Sequence, residues 1–348
     1  MTSITKPAER AALAAAQPQA WQSLVAPYQQ ADYWRSLWEV ANTFVPFLVC
    51  WYLAYRSLAV SYWLTLGLIV LTAGFLMRTF IILHDCGHAS FFKSQRANDW
   101  VGLVAGLFTL TPYFQWRHDH ALHHAGLGDL DRRGVGDVWT LTVKEYQALP
   151  WKRRVFYQIY RNPIVMFLIS PTILFVVAHR FVSPKGGPRE RMSVHVTNAA
   201  ALVLFVGLSW LIGWQAVLLV HLPVLFISST AGVWLFYVQH QFEDTYWEKH
   251  ADWKFAAAAL QGSSYYKLPK IIQWFTGNIG LHHIHHLSPK IPNYNLPRCY
   301  ADNPLLRQVT VVTFWESLRT MFLKLWDEER GMLVGFRQAA RPPADPAG

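Results

Sequence analysis

A chain of 348 residues with 53% hydrophobic and only 15% charged residues is not an ordinary soluble domain, which carries about 25% charged residues. With a mean hydropathy of +0.15 it reads as one membrane domain. Its net charge of +10 does not single out nucleic acid, because the basic residues lie outside the apolar runs, as the positive-inside rule asks. Three cysteines, Cys50, Cys86 and Cys299, have no paired spacing, which excludes a disulfide framework and a CxxC site.

Residues 1–40 contain no apolar core of signal-peptide type and read as a mobile cytosolic arm. The membrane domain then occupies 41–338. Its first apolar block, 42–82, is too long for one span of about 20 residues. Arg56 and Ser57 divide it, which gives spans near 42–55 and 62–82. The run "WVGLVAGLFTLTPYF", 100–114, is short and carries Gly102, Gly106 and Pro112, so it reads as re-entrant or interfacial. A polar stretch, 115–161, follows. The run 162–181 is long enough to span but has Pro171 at its centre, and it reads as a broken, surface-lying hairpin. A second double-length block, 196–238, divides near Gly213 and Trp214 into spans of 197–212 and 216–238. The tail 339–348, "AARPPADPAG", reads as disordered.

Charge sets the sides. The turns near 56–61 and 213–215 carry one basic residue between them and should face outward. The segments 89–99, 115–161, 182–195 and 239–348 hold nearly all the remaining Lys and Arg and should face the cytosol. The expectation is an all-α membrane protein with four spanning helices in two hairpins and a cytosolic helical cap. A six-span reading would put some histidines on the wrong side.

Of fifteen histidines, most fall into three clusters. "HDCGH", 84–88, holds His84 and His88. "RHDHALHH", 117–124, holds His120, His123 and His124. "LHHIHHL", 281–287, holds His282, His285 and His286. On a helix, positions i, i+3 and i+4 share one face, so each cluster presents imidazoles in one direction. Imidazole suits Zn, Cu, Fe and Ni, and eight histidines exceed the four ligands of one tetrahedral zinc. Two metals are the natural count. A surface histidine cluster would explain any one of the three, but not three placed on one side. His118 lies about 200° from His120 around a helix and should point elsewhere. His283 stands at i−3 from His286, which leaves a shifted register open in the third cluster. His179, His195, His221 and His250 read as structural. Asp85 and Asp119 neighbour cluster histidines. A ligating histidine usually gives its other ring N–H to a carboxylate or carbonyl, so both are candidates to orient one, with ordinary capping as the alternative. Trp139, Phe236 and Trp234 read as core or interface packing ahead of tunnel lining.

The three clusters, their order and their placement against the apolar blocks resemble the histidine boxes of the membrane fatty acid desaturase superfamily, from roughly residue 40 to 300. "HDCGH", "HDHALHH", "GLGDLDRRGVGDVWTLT" and "VQHQFEDTYW" look most like bacterial methyl-end desaturases of the omega-6 (delta-12) type. The resemblance implies two bound iron ions, O2 as co-substrate, and removal of two hydrogens from a lipid-linked acyl chain to give a cis double bond. It also implies a ninth ligand, His240, between the second and third boxes, just past the fourth span. An inner-membrane location with the boxes on the cytosolic side follows. Electrons should come from a separate donor, ferredoxin or a cytochrome-b5-like protein, because three scattered cysteines cannot hold a cluster that needs four. "WKRRVFYQIYR", 151–161, offers a basic docking surface for such a donor. Soluble di-iron bundles use ExxH ligands instead, and none accompanies the spans. Competing readings are a fatty acid hydroxylase or epoxygenase, a carotenoid hydroxylase or ketolase, and, from another class, a metal transporter.

Overall fold

The computed structural model describes residues 18–340. Residues 1–17 of the expected arm, and 341–348 of the expected tail, lie outside the described residues. Among the described residues, four helices are each long and apolar enough to cross a membrane: Tyr33–Ser57, Tyr62–Gly87, Pro188–Ile212 and Trp214–His240. They form two hairpins. The first turn is tied by Ser57 and Thr65, whose hydroxyls are 2.8 Å apart. The second passes through Gly213 at φ +87°, a left-handed conformation that glycine adopts without a steric penalty. Hydropathy placed these helices but not their ends. The first begins at Tyr33 rather than near 42, capped by Asp32, whose Oδ1 accepts from Arg35 N at 2.8 Å. Arg35 and Glu39 interrupt the apolar pattern without ending the helix, because Glu39 turns inward to Arg78 of the second span. The second helix runs on through His84 to Gly87. The third starts at Pro188, a residue suited to a first helical turn, with Glu190 also in that turn.

Residues 18–32 correct the expectation of a mobile arm. Val25 and Tyr28 are buried against Ala259, Leu260, Ile284 and Leu287 of the cap, and Tyr28 donates to Asp302 at 2.9 Å. Val25 and Tyr28 thereby cover the Ile284 and Leu287 side of the third histidine cluster.

The re-entrant run is a helix, Gln95–Phe108, of 14 residues. At 1.5 Å per residue this is about 21 Å, short of a hydrocarbon core of about 30 Å. It turns into the helix Tyr113–Gly126, which carries the second cluster. Tyr113 lies over Gly102 so closely that a Cβ there would sit 2.3 Å from its ring. The 162–181 run is not a hairpin broken at Pro171, which fits into a continuous helical segment: a π-turn over Val165–Ile169, a short helix Ser170–Val176 and a 3-10 turn Ala178–Arg180. It is bent by 57° from the helix Trp151–Tyr160. The cap is not wholly helical. Leu141–Thr142 pairs in parallel with Leu325–Asp327, which pairs antiparallel with Met332–Val334, and Tyr265–Lys267 pairs in parallel with Val311–Thr313.

Candidate metal centre

Four elements deliver the histidines. His84 ends the second span and His88 caps it. His120, His123 and His124 lie along one stretch of the Tyr113–Gly126 helix. His240 is the last residue of the fourth span. His282, His285 and His286 belong to the short buried helix His282–Leu287. All nine converge at the junction of spans and cap, in two groups. His84, His88, His120, His124 and His285 can each bring one ring nitrogen within 4.8 Å of the others, and so can His123, His240 and His286. His282 adjoins the second group, with its Nε2 2.9 Å from His240 Nε2 and 3.1 Å from His286 Nε2. The groups touch where His124 stacks on His286, ring centroids 4.1 Å apart.

Several features fit these residues to metal ions. His285 Nε2 lies 3.0 Å from His124 Nε2, and His124 Nε2 lies 3.2 Å from His120 Nε2. Two nitrogens about 2.0–2.1 Å from one ion, at an angle of about 90–105°, stand about 2.9–3.3 Å apart. Nε2 of His84, His88 and His123 is buried with no hydrogen-bond partner, a cost that a bound cation removes. In three cluster histidines the opposite nitrogen is committed elsewhere. His84 Nδ1 donates to Asp85 Oδ1 at 3.0 Å, His123 Nδ1 to Asp137, and His240 Nδ1 to the Gly262 carbonyl at 3.0 Å. Those partners can only accept, so each proton sits on Nδ1 and each Nε2 lone pair faces the cluster. Burial pushes His88, His120, His124, His282, His285 and His286 well below the usual histidine range. They are therefore neutral, the form that ligates.

Asp85 and Asp119 part company. Asp85 bonds His84 and is itself held by Asn293, whose N and Nδ2 donate to Oδ2 at 2.7 and 3.0 Å. Asp119 bonds no cluster histidine, and its Oδ1 is buried without a partner. The carboxylate that meets this helix is Asp137, which sequence reasoning missed. Its only signal was the glycine spacing in "RGVGDVW". Gly136 has φ +67°, and a Cβ there would meet Asp119 O and His123 Cβ, each at 3.1 Å, so the loop lies flat against the helix. His118 joins neither group. His283 turns away to the Leu306 carbonyl, 2.9 Å from its Nε2, which settles the register of the third cluster. His250 is held outside by Asp129 Oδ2 at 2.7 Å. Cys86 is fully buried. Two aromatics close the site. Trp116 stacks on His120 at 4.4 Å, and Phe236 stands 5.1 Å from both His123 and His240. Phe236, Asp137, Gly128 and Tyr246 line a small cavity that reaches His240. Trp234 instead packs on Phe167.

Comparison with known proteins agrees with this geometry. The model of the fatty acid desaturase family matches residues 61–315. The chain is 47% identical over 319 residues to a fatty acid desaturase of Bacillus subtilis (strain 168), covering 92% of this chain and 91% of that one. It is 31% identical to an sn-1 oleoyl-lipid 12-desaturase of Anabaena variabilis, over 72% of each chain. It is also 31% identical to an sn-1 acyl-lipid omega-3 desaturase (ferredoxin) of Synechocystis, over 65% of this chain and 64% of that one.

Proposed function

The chain belongs to the fatty acid desaturase family, an integral-membrane oxidoreductase by descent, and we propose that it introduces a cis double bond at the delta-12 (omega-6) position of a lipid-linked acyl chain. The observation that carries the reading is the convergence of nine histidines, in two groups, at the cap end of the spans. In this reading two irons are held, one by His84, His88, His120, His124 and His285, the other by His123, His240 and His286 with His282 beside them. When bound they supply the activation of O2 that lets an unactivated CH2–CH2 unit be oxidised.

The protein's own residues do the rest. Asp85, Asp137 and the Gly262 carbonyl fix ring orientation and tautomer. Trp116 and Phe236 cover the cluster and keep water from it. The position of the cluster at the span ends brings it within reach of a membrane lipid's acyl chain without that chain leaving the bilayer. In this reading the cap faces the cytosol at a bacterial inner membrane, an orientation that the basic segments support. The oleoyl-lipid 12-desaturases among the relatives favour the regiochemistry, and the ferredoxin in the name of the Synechocystis relative favours a separate electron donor. In the proposed docking segment the exposed cations are Lys152, Arg153 and Arg154. Arg161 is fully buried, bonded to Gln241 and the Leu323 carbonyl, and cannot contribute.

Fatty acid methyl esters from cells with and without expression test the reading. A diene appearing at the expense of oleate is expected. A hydroxy or epoxy acid in its place would overturn it in favour of oxygen insertion.

A further inference from the structure

Arg78 and Glu39 form an ion pair between the first two spans, Nη2 to Oε1 at 3.2 Å, and both are buried. Ionisable groups within spans are costly and mark functional positions. Helix packing alone would not need this pair, since Ala54, Ile69, Ala73 and Leu76 already pack these spans together. Its bonds lead elsewhere. Arg78 is fully occupied, by Thr43 Oγ1 at 3.1 Å, by the Trp274 carbonyl and by Glu39. That leaves Glu39 Oε2 free to accept from Asn293 Nδ2 at 3.2 Å. The same Nδ2 donates to Asp85 Oδ2 at 3.0 Å, and Asp85 Oδ1 receives His84 Nδ1. Asn293 Oδ1 is buried with no partner. Its amide is therefore turned so that both donors are spent on two carboxylates, at the cost of its own acceptor.

We infer that Asn293, gripped between Glu39 and Asp85, is a positioning residue that sets the His84 ring toward the five-histidine group, with the Glu39–Arg78 pair as its anchor in the membrane. The charges support this assignment. Arg78 balances Glu39, so Asp85 is left to the histidine and to the cation that the group holds. The loop bearing Asn293 is pinned from its other side, where Tyr294 Oη accepts from Asp32 N at 2.9 Å and Arg35 donates to the Tyr294 carbonyl at 2.9 Å. The start of the first span and the histidine helix thus meet through one amide.

This inference rests on the five-histidine group holding an ion. The test uses the full chain in detergent, loaded with ferrous iron under reducing conditions. Iron per chain, the rate of iron release to a chelator, and thermal stability with and without iron are measured. Asn293→Asp keeps the side-chain volume but faces two carboxylates with a third. It should release one ion about tenfold faster or more, the size expected when an outer partner of a ligand is lost. Asn293→Ala removes the donor, adds no charge and keeps the Asn293 N–H on Asp85. It should release the ion less than about tenfold faster, and both variants should lose more stability with iron bound than without it. A purely structural role predicts equal loss of stability with and without iron at an unchanged release rate. That result, or faster release from Asn293→Ala than from Asn293→Asp, overturns the inference. His84→Ala separates the two levels of the argument. If it loses iron while both Asn293 variants hold it normally, only the positioning role fails. If it holds iron normally, the metal reading of the group fails as well.

Discussion

Asp137, rather than Asp119, is expected to control the ion on the three-histidine side. Replacing Asp137 by Asn keeps a hydrogen-bond acceptor beside His123 Nδ1 but removes its charge. His123 is 1% exposed, so no water replaces the lost interaction. Bonds to ionised acceptors are about twice as strong as neutral ones, and losing an outer partner of a ligating histidine costs about 10- to 100-fold in metal affinity. At about 1.4 kcal/mol per tenfold this is about 1.4–2.8 kcal/mol. Asp137→Asn should fall near the lower end and Asp137→Ala near the upper. Chelator competition on the iron-loaded protein in detergent is the assay. One of two ions should loosen about tenfold in Asp137→Asn while the other holds, and Asp119→Asn should match wild type. The reasoning is refuted if Asp119→Asn loosens an ion and Asp137→Asn does not, or if Asp137→Asn loosens both ions equally.

Further expectations follow from other parts of the molecule. His240→Ala should abolish product and bring iron toward one ion per chain with membrane insertion intact, whereas His250→Ala, outside the cluster on Asp129, should do neither; normal iron and activity in His240→Ala would return the site to eight ligands. Gly128→Ala should lower thermal stability by more than about 1 kcal/mol, because Gly128 has φ +69° and a Cβ would meet Tyr246 O at 2.8 Å; an unchanged melting temperature would contradict this. Burial pushes the Lys324 amine down to about 7, while an unfolded lysine titrates near 10.4. Between those values the unfolded chain binds a proton that the folded chain lacks, so its cost is full below about pH 7 and is relieved as pH rises. Melting temperature should accordingly climb between pH 7 and 9, less steeply in Lys324→Met, and equal slopes would count against it. Purified protein with NAD(P)H and O2 alone should not turn over, and reduced ferredoxin should restore turnover at a rate that falls with salt; turnover without a donor would refute the external source.

Hydropathy made the four spanning helices legible, because the lipid-facing surface must be apolar along its length. It misjudged the start of the first, where Arg35 and Glu39 are polar but each is satisfied by another part of the chain, so the helix continues where a hydropathy window sees an interruption. The packing of residues 18–32 was hidden because Val25 and Tyr28 find their partners more than two hundred positions away. No local pattern announces such a contact. The short cap strands, two or three residues each, are too brief for alternation to register.

The partners that orient the histidines were harder to read than the histidines themselves. Asp85 and Asp119 look equivalent in sequence, each adjoining a cluster histidine. Each lies about 100° around its helix from that neighbour, but Asp85 is held by Asn293 where it meets His84, and nothing holds Asp119 against His120. Asp137 reaches His123 across a glycine loop, fourteen positions on, and Asn293 reaches Asp85 across 208. What the sequence did carry, unread, was the division of the cluster in two. Adjacent residues on a helix diverge by the same 100°, so an HH pair cannot aim both rings at one point. In the second cluster His123 goes to one group and His124 to the other, and in the third His285 and His286 divide likewise. An HxxHH motif is thus the form a helix must take to serve two centres at once, whereas the HxxxH of His84 and His88, both in the same group, is the form that serves one.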